Sequence, residues 1–364
     1  MKLLNHVMMP DQLKRTSDML TSFRAVFLLA FCLTAALLGC TAAQADSVID
    51  KSAEKIKVAI ITGQNNHGWT LDTPVLKNIL DEAGLFDTTL LISPDAKDPD
   101  KAAKWQQFKP AFSDYSVVII NYNGEMWPDH IKTGFVDYIK GGGKAYVFHA
   151  GNNPFNGWTE YEQMVGLLWR KNNEGKRLYF DENGQQKIVQ PGDGPGAGHG
   201  AKHAYVVKNL DPEHPVFTGL PTEWMHAQDE LYHGQRGPAE NMTILATAYS
   251  DPATKGTGVS EPLVWTIPFG EGLVLTNVMG HWWKNDATGP ALQCAGFQTI
   301  LTRSIEWLAT GKVTQEKPAD FPGKDAASLR ELKPFKPLAY LYVPDFAPFA
   351  SASVSRQEME HAEH

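Results

Sequence analysis

Three histidines and one acidic pair stand where this chain could handle a proton or a metal ion. His67 ends the run Val58-Ala59-Ile60-Ile61-Thr62-Gly63-Gln64-Asn65-Asn66. His149 directly follows Ala145-Tyr146-Val147-Phe148, and His281 lies just beyond Leu273-Val274-Leu275-Thr276-Asn277. The run Asp229-Glu230-Leu231-Tyr232-His233 adds two carboxylates and a phenol. Neutral imidazole can ligate a metal, accept a proton or, once charged, return it. Several imidazoles with a carboxylate suit a divalent ion such as zinc. The expected catalytic residues are His67, His149, Glu230 and His281. An ion would draw its ligands from His149, His203, Asp229 and His281, and substrate would meet Asn66, Trp69, Asn152, Tyr232 and Trp282. Adjacent residues in extended chain face opposite ways, so one of Asp229 and Glu230 enters the pocket, and Tyr232 shares the face of Glu230. His199 and His203 are four apart, but the glycines around them argue against a helix, so that spacing is not a dependable metal signature.

These side chains need strands to carry them. Short apolar, β-branched runs cover Lys57 to Thr62, Thr88 to Ile92, Ser116 to Asn121 and Lys144 to His149. Helical stretches near Pro74 to Ala83, Pro128 to Lys140 and Glu160 to Trp169 lie among them. Alternation of buried strands and helices predicts βαβ crossovers and a parallel sheet. Ligands of such sheets bind outside the carboxyl ends of the strands, where the three histidines fall. Residues 170–200 break the rhythm and read as a lid-like insertion, with Asn183-Gly184 as a hairpin turn. Its glycine-rich end, Pro191 to Gly200, is either a flexible linker or a loop that presents His199. Further strands are expected at Ala204 to Val207, Thr243 to Ala248, Leu263 to Ile267 and Gly272 to Asn277, then a closing helix from about Ala291 to Thr310.

Bulk properties narrow the partners. The 364 residues are 43% hydrophobic, enough for a substantial core. A net charge of −8 with no basic block excludes a nucleic-acid surface. Ten tryptophans and eleven tyrosines serve a core or stack on sugar rings. Lys14, Arg15 and Arg24 precede an apolar run from Ala25 to Gly39, so residues 1–45 read as an export signal, with Met19 as an alternative start. Leu37-Leu38-Gly39-Cys40 resembles a lipobox, which would make Cys40 a lipid anchor and the chain's one membrane contact; Ala43-Gln44-Ala45 would instead release a soluble periplasmic protein. Cys294 is then the lone cysteine, a small buried hydrophobe that permits no intrachain disulfide. Residues 46–54 form a linker, and 312–364 an extension whose end reads as disordered.

Taken in order, the motifs resemble the ThuA-like (trehalose utilisation) domain, a branch of the class I glutamine amidotransferase-like superfamily. They are Asn65-Asn66-His67, Gly142-Gly143-Lys144 leading to Phe148-His149-Ala150, His214-Pro215-Val216, Gly219-Leu220-Pro221, Asp229-Glu230-Leu231-Tyr232, Pro262-Leu263-Val264-Trp265, Gly280-His281 and Ile305-Glu306-Trp307. They cover about residues 55–311. The resemblance implies a flavodoxin-like three-layer α/β fold with a mostly parallel sheet. The amidotransferases carry a nucleophilic cysteine at a strand-to-helix elbow; here the corresponding strand end carries His149, which excludes thiolate glutaminase chemistry. The family is linked to disaccharide use and, in some members, to 3-keto sugars. The resemblance therefore implies an enzyme that isomerises or cleaves 3-keto-glycosides by metal- or histidine-assisted proton abstraction, and the leader makes it an exported one. A hydrolase using metal-activated water and a non-catalytic carbohydrate-binding protein are the alternatives.

Overall fold

The computed structural model describes residues 54–339. The export signal, Cys40, nearly all of the 46–54 linker and the chain from 340 onward lie outside the described residues. The first half alternates strand and helix: β1 (Ile56–Thr62), α1 (Trp69–Glu82), β2 (Phe86–Ile92), α2 (Lys101–Gln107), β3 (Val117–Ile120), α3 (Asp129–Lys140), β4 (Lys144–Phe148) and α4 (Thr159–Val165). The insertion supplies β5 (Arg177–Phe180), β6 (Gln186–Val189) and β7 (Gly198–His199). Then follow β8 (His203–Asn209), β9 (Glu223–Asp229), β10 (Tyr232–His233), β11 (Thr243–Tyr249), β12 (Ser260–Phe269), β13 (Gly272–Asn277), α5 (Pro290–Gln293) and α6 (Ala295–Thr310).

The main sheet runs β2-β1-β3-β4-β13-β12-β11-β8-β9. Strands β2, β1, β3, β4 and β13 are all parallel, and from β12 to β9 each pairing is antiparallel. This is a flavodoxin-like α/β sandwich with an antiparallel wing. Its three layers are written into β1 residue by residue. Val58 and Ile60 face a core shared with α1 and α6, and Ala59 and Ile61 face the opposite core shared with α3 and α4. Strands buried on both faces must be continuously apolar, which is why these runs are legible in the sequence. On α3, Ile131, Phe135 and Ile139 are almost wholly buried, and each contributes about 1.5–3 kcal/mol of burial.

Helix boundaries depart from expectation for local reasons. α1 begins at Trp69, a turn before Pro74. Pro74 has no N–H for the carbonyl of Thr70, and the amide of Leu338 in the C-terminal extension donates there instead, at 2.8 Å. α4 stops at Val165 because Gly166 takes φ 76°. The closing helix is split in two, since Cys294 is extended (φ −60°, ψ 119°). Strand β9 and helix α2 carry too little apolar signal to be read in advance. Among the described residues no helix is long and apolar enough to cross a membrane.

Candidate active site

The carboxyl ends of β1, β4 and β13 deliver the three imidazoles. His67 lies in the β1–α1 loop, where the Gly68 amide donates to the Trp282 carbonyl at 2.8 Å and so ties this loop to the one carrying His281. His149 is the first residue past β4 and has φ 40°, the left-handed region that a non-glycine residue rarely occupies. Such strain persists where surrounding contacts over-determine it. Here Nδ1 donates to the Val278 carbonyl at 2.7 Å, and Tyr232 Oη lies 3.1 Å from Nε2. Gly280, just before His281, has φ 105°, and a Cβ there would lie 2.5 Å from the Phe148 ring. Only glycine lets the chain pass this close.

Glu230 comes from the far antiparallel wing, and its neighbour Asp229 fastens it to the β13 loop. Asp229 Oδ2 accepts from Gly280 N (2.8 Å) and Oδ1 from His281 N (3.0 Å) and Glu230 N (2.7 Å). His226 Nε2 lies 2.8 Å from Oδ2. Burial opposes the Asp229 charge, but His226 and the Gly280 amide hold this carboxylate below its usual range. The two acidic neighbours thus point in opposite directions: Asp229 into backbone amides, Glu230 into the site.

The ring centroids of His67, His149 and His281 stand 5.1, 5.2 and 5.3 Å from one another, nearly an equilateral triangle. Ligand atoms of these three and Glu230 all lie within 4.8 Å of each other. Two tautomers are set by acceptors on the outer nitrogen. His67 Nδ1 is 3.1 Å from Asn65 Oδ1 and 2.9 Å from Asn66 Oδ1, and His149 Nδ1 faces Val278, so each Nε2 carries its lone pair inward. His281 Nε2 is buried without a hydrogen bond; it stands 3.2 Å from Glu230 Oε1 but out of bonding geometry. Burial, reinforced by the other imidazoles, lowers His67 to about 2 and His281 to about 3, and burial lowers His149 as well. All three are therefore neutral at pH 7. Burial and the nearby Asp229 raise Glu230 to about 7, the range of a general base. Inward lone pairs and an orphaned buried nitrogen fit a divalent cation, which the three imidazoles would hold with its remaining positions open.

Above the triangle opens a cavity of about 430 Å³ lined by Asn66, His67, Asn123, Asn153, Trp169, His199, Glu230, Tyr232 and Trp283. The structure thus brings His67, His149, Glu230 and His281 together, with Asn66 and Tyr232 beside them. Other expected residues stand elsewhere. His203 turns its Nδ1 to the Ala201 carbonyl at 2.7 Å, and neither it nor Asp229 joins the ligand group. A register shift between His203 and Tyr205 in the β8–β9 pairing takes His203 out of simple alternation. Asn152 is fully buried on Gln235 and the Leu167 carbonyl, so its neighbour Asn153 lines the cavity instead. Trp69 is buried in the first turn of α1. Trp282 is buried against Phe335, its Nε1 donating to Asp286 O, and Trp283 faces the site. Sequence reading passed over Asn123, Asn153 and Trp169, and of the two tryptophans after His281 it chose the buried one. Asn123 follows β3, so the strand-end rule applied to that strand would have found it.

A family model described as ThuA, trehalose utilisation, matches residues 57–308. A solved ThuA-like protein from Parabacteroides merdae is 42% identical, covering 76% of this chain and 98% of its own, with a TM-score of 0.69. A ThuA-like protein from Bacteroides uniformis is 16% identical over 73% of this chain and 96% of its own, with a TM-score of 0.46. A cytoplasmic protein of Salmonella typhimurium is 12% identical over 69% and 98%, with a TM-score of 0.37. No curated protein matches the chain.

Proposed function

The chain belongs to the ThuA (trehalose utilisation) family, and from that premise we propose a sugar-active enzyme that isomerises or cleaves 3-keto-glycosides or keto-disaccharides. The observation that carries this reading is the convergence of three neutral imidazoles and one carboxylate within 4.8 Å at the floor of a tryptophan-walled cavity. A ketone at C3 acidifies the C2 hydrogen, because the pair left behind delocalises onto the ketone oxygen. Glu230, raised to about 7, is placed to take that proton at neutral pH. His67, His149 and His281 would hold a divalent ion such as zinc. That ion, when bound, would act as a Lewis acid on the ketone oxygen. Tyr232 Oη donates to His149 Nε2 at 3.1 Å; once that nitrogen held the ion, the hydroxyl would be free to donate to substrate. Trp169 and Trp283 offer flat faces to the sugar, and Asn66, Asn123 and Asn153 offer amides to its hydroxyls. The enediolate can then be reprotonated at the neighbouring carbon or expel the C1 substituent.

The test is direct. Purified protein is analysed for metal and incubated with a 3-keto-glycoside, and the products are followed by NMR. About one ion per chain and loss of the C2 hydrogen to solvent are expected, with both abolished in His149→Ala and His281→Ala. Sugar binding without turnover and without metal would favour a carbohydrate-binding protein. Product oxygen derived from solvent, with no C2 exchange, would favour a hydrolase. The apolar run from Ala25 to Gly39 supports export. Cell fractionation and acyl labelling of Cys40 would separate a lipoprotein from a released periplasmic protein and from a cytoplasmic one.

A further inference from the structure

The insertion brings a fourth imidazole to the site, and its surroundings show that it is placed rather than loosely tethered. His199 pairs with Tyr232 where β7 meets β10, so the same short strand that follows Glu230 holds His199. Gly200 carries a carbonyl that accepts from His199 Nδ1 at 2.7 Å. That contact fixes the proton on Nδ1 and leaves the lone pair on Nε2. Nε2 stands 3.5 Å from Glu230 Oε1, while about a third of the side chain (35%) remains open to solvent.

The glycine-rich loop that carries it is pinned from several sides. Arg236, fully buried, donates Nε to Pro195 O at 3.0 Å, Nη1 to Gln190 O at 3.2 Å and to Gly175 O at 3.3 Å, and Nη2 to Pro195 O at 2.6 Å and to Asp193 O. Ala197 N donates to Arg170 O at 2.9 Å, and Ala201 N to Thr254 O at 2.8 Å. A Cβ on Gly200 would lie 1.9 Å from the Thr254 carbonyl, so this position accepts only glycine. A loop held by four hydrogen bonds from one guanidinium, whose fifth reaches Gly175, presents its imidazole in one place.

We propose that His199 is a further catalytic residue, a loop-borne base that takes the substrate proton from Glu230 and exchanges it with water. The proposal rests on the proton-abstraction reading above. In the step, the C2–H bond breaks and its electron pair becomes the C2–C3 π bond of the enolate as the ketone π pair moves to oxygen. The proton passes to Glu230 Oε1, then to His199 Nε2, and then to solvent. Nδ1–H stays on the Gly200 carbonyl throughout, and a solvent proton returns by the same route. No oxidant or reductant is involved.

The experiment uses full-length, zinc-loaded protein with methyl 3-keto-glucopyranoside in D2O, following loss of the C2 proton signal. His199→Ala is expected to slow exchange about 10²-fold. Zinc content and KM should stay at wild-type values, and free imidazole, entering the space left by the ring, should restore much of the rate. If the alanine variant fails to fold, His199→Gln, which keeps a side chain on β7, must bind zinc normally and lose exchange by a similar factor. Wild-type exchange rates in these variants, or a loss that comes with lost zinc or is not rescued in the alanine variant, would overturn the role of His199. Absence of C2 exchange in the wild type would instead overturn the proton-abstraction reading on which it rests.

Discussion

Asp229 does not line the site cavity, yet Asp229→Asn should injure the site more than any other isosteric change near it. Its two oxygens take three backbone amides and His226 at 2.7–3.0 Å. An asparagine offers one oxygen and one NH2 group. Whichever way it sits, the NH2 faces two donors, and two charge-assisted hydrogen bonds of about 1.5–3 kcal/mol each are lost. His226, fully buried, also loses its counter-charge. Breaking a buried charged contact of this kind costs about 3–5 kcal/mol. At roughly 2 °C per kcal/mol for a domain of this size, the melting temperature should fall by about 6–10 °C. Two of the freed amides belong to Glu230 and His281, so zinc affinity should fall about 10–100-fold, the usual effect of losing a group that orients ligands. Calorimetry and competition with a chromophoric chelator would measure both. His203→Ala, which leaves the ligand triangle intact, should change neither. A melting point within about 2 °C of wild type, or unchanged zinc affinity, would refute the reasoning.

Asp72 gives a prediction on pH. It is buried, and burial raises it from 3.8 to about 7 although Asn121 donates to it at 2.6 Å. The fold favours the protonated acid, so stability should decline as pH rises from 3.8 to about 7, with a cost of up to about 4 kcal/mol above that window. Asp72→Asn keeps the acceptor, should abolish this decline in urea titrations and should be more stable than wild type at pH 8; parallel pH profiles would count against it. The two tryptophans after His281 should separate cleanly. Trp283→Ala should raise KM for the sugar roughly tenfold with little change in melting temperature, whereas Trp282→Ala should cost about 3–5 kcal/mol of stability.

Strands legible in the sequence were those buried on both faces, such as β1 and β4, because burial there demands unbroken apolar runs. The same rule placed His67, His149 and His281 at one edge of the sheet. What could not be read was decided by single dihedrals or by distant partners. Trp282 rather than Trp283 turns inward because of the backbone path after Gly280, and Asn152 rather than Asn153 because His149 opens a tight turn. Asp229 looked like a ligand because carboxylates often are; two of its partners are the Gly280 and His281 amides, about fifty residues away, which no local pattern reveals. The anchoring of the 190–195 loop was equally hidden, since Arg236 binds carbonyls, and every residue type has one.

The proline in α1 has a reach beyond its own helix. Because Thr70 keeps an uncommitted carbonyl, the peptide at Leu338 can latch there, and Phe335 nearby leans on Trp282. The C-terminal strap thereby rests against the first turn of α1, which follows the loop carrying His67, and against the loop carrying His281. Loading the triangle with zinc should tighten the strap, and by thermodynamic reciprocity clipping the strap should loosen zinc by the same factor. A protease that nicks the chain near residue 334 would then report, from outside, on whether the metal is home.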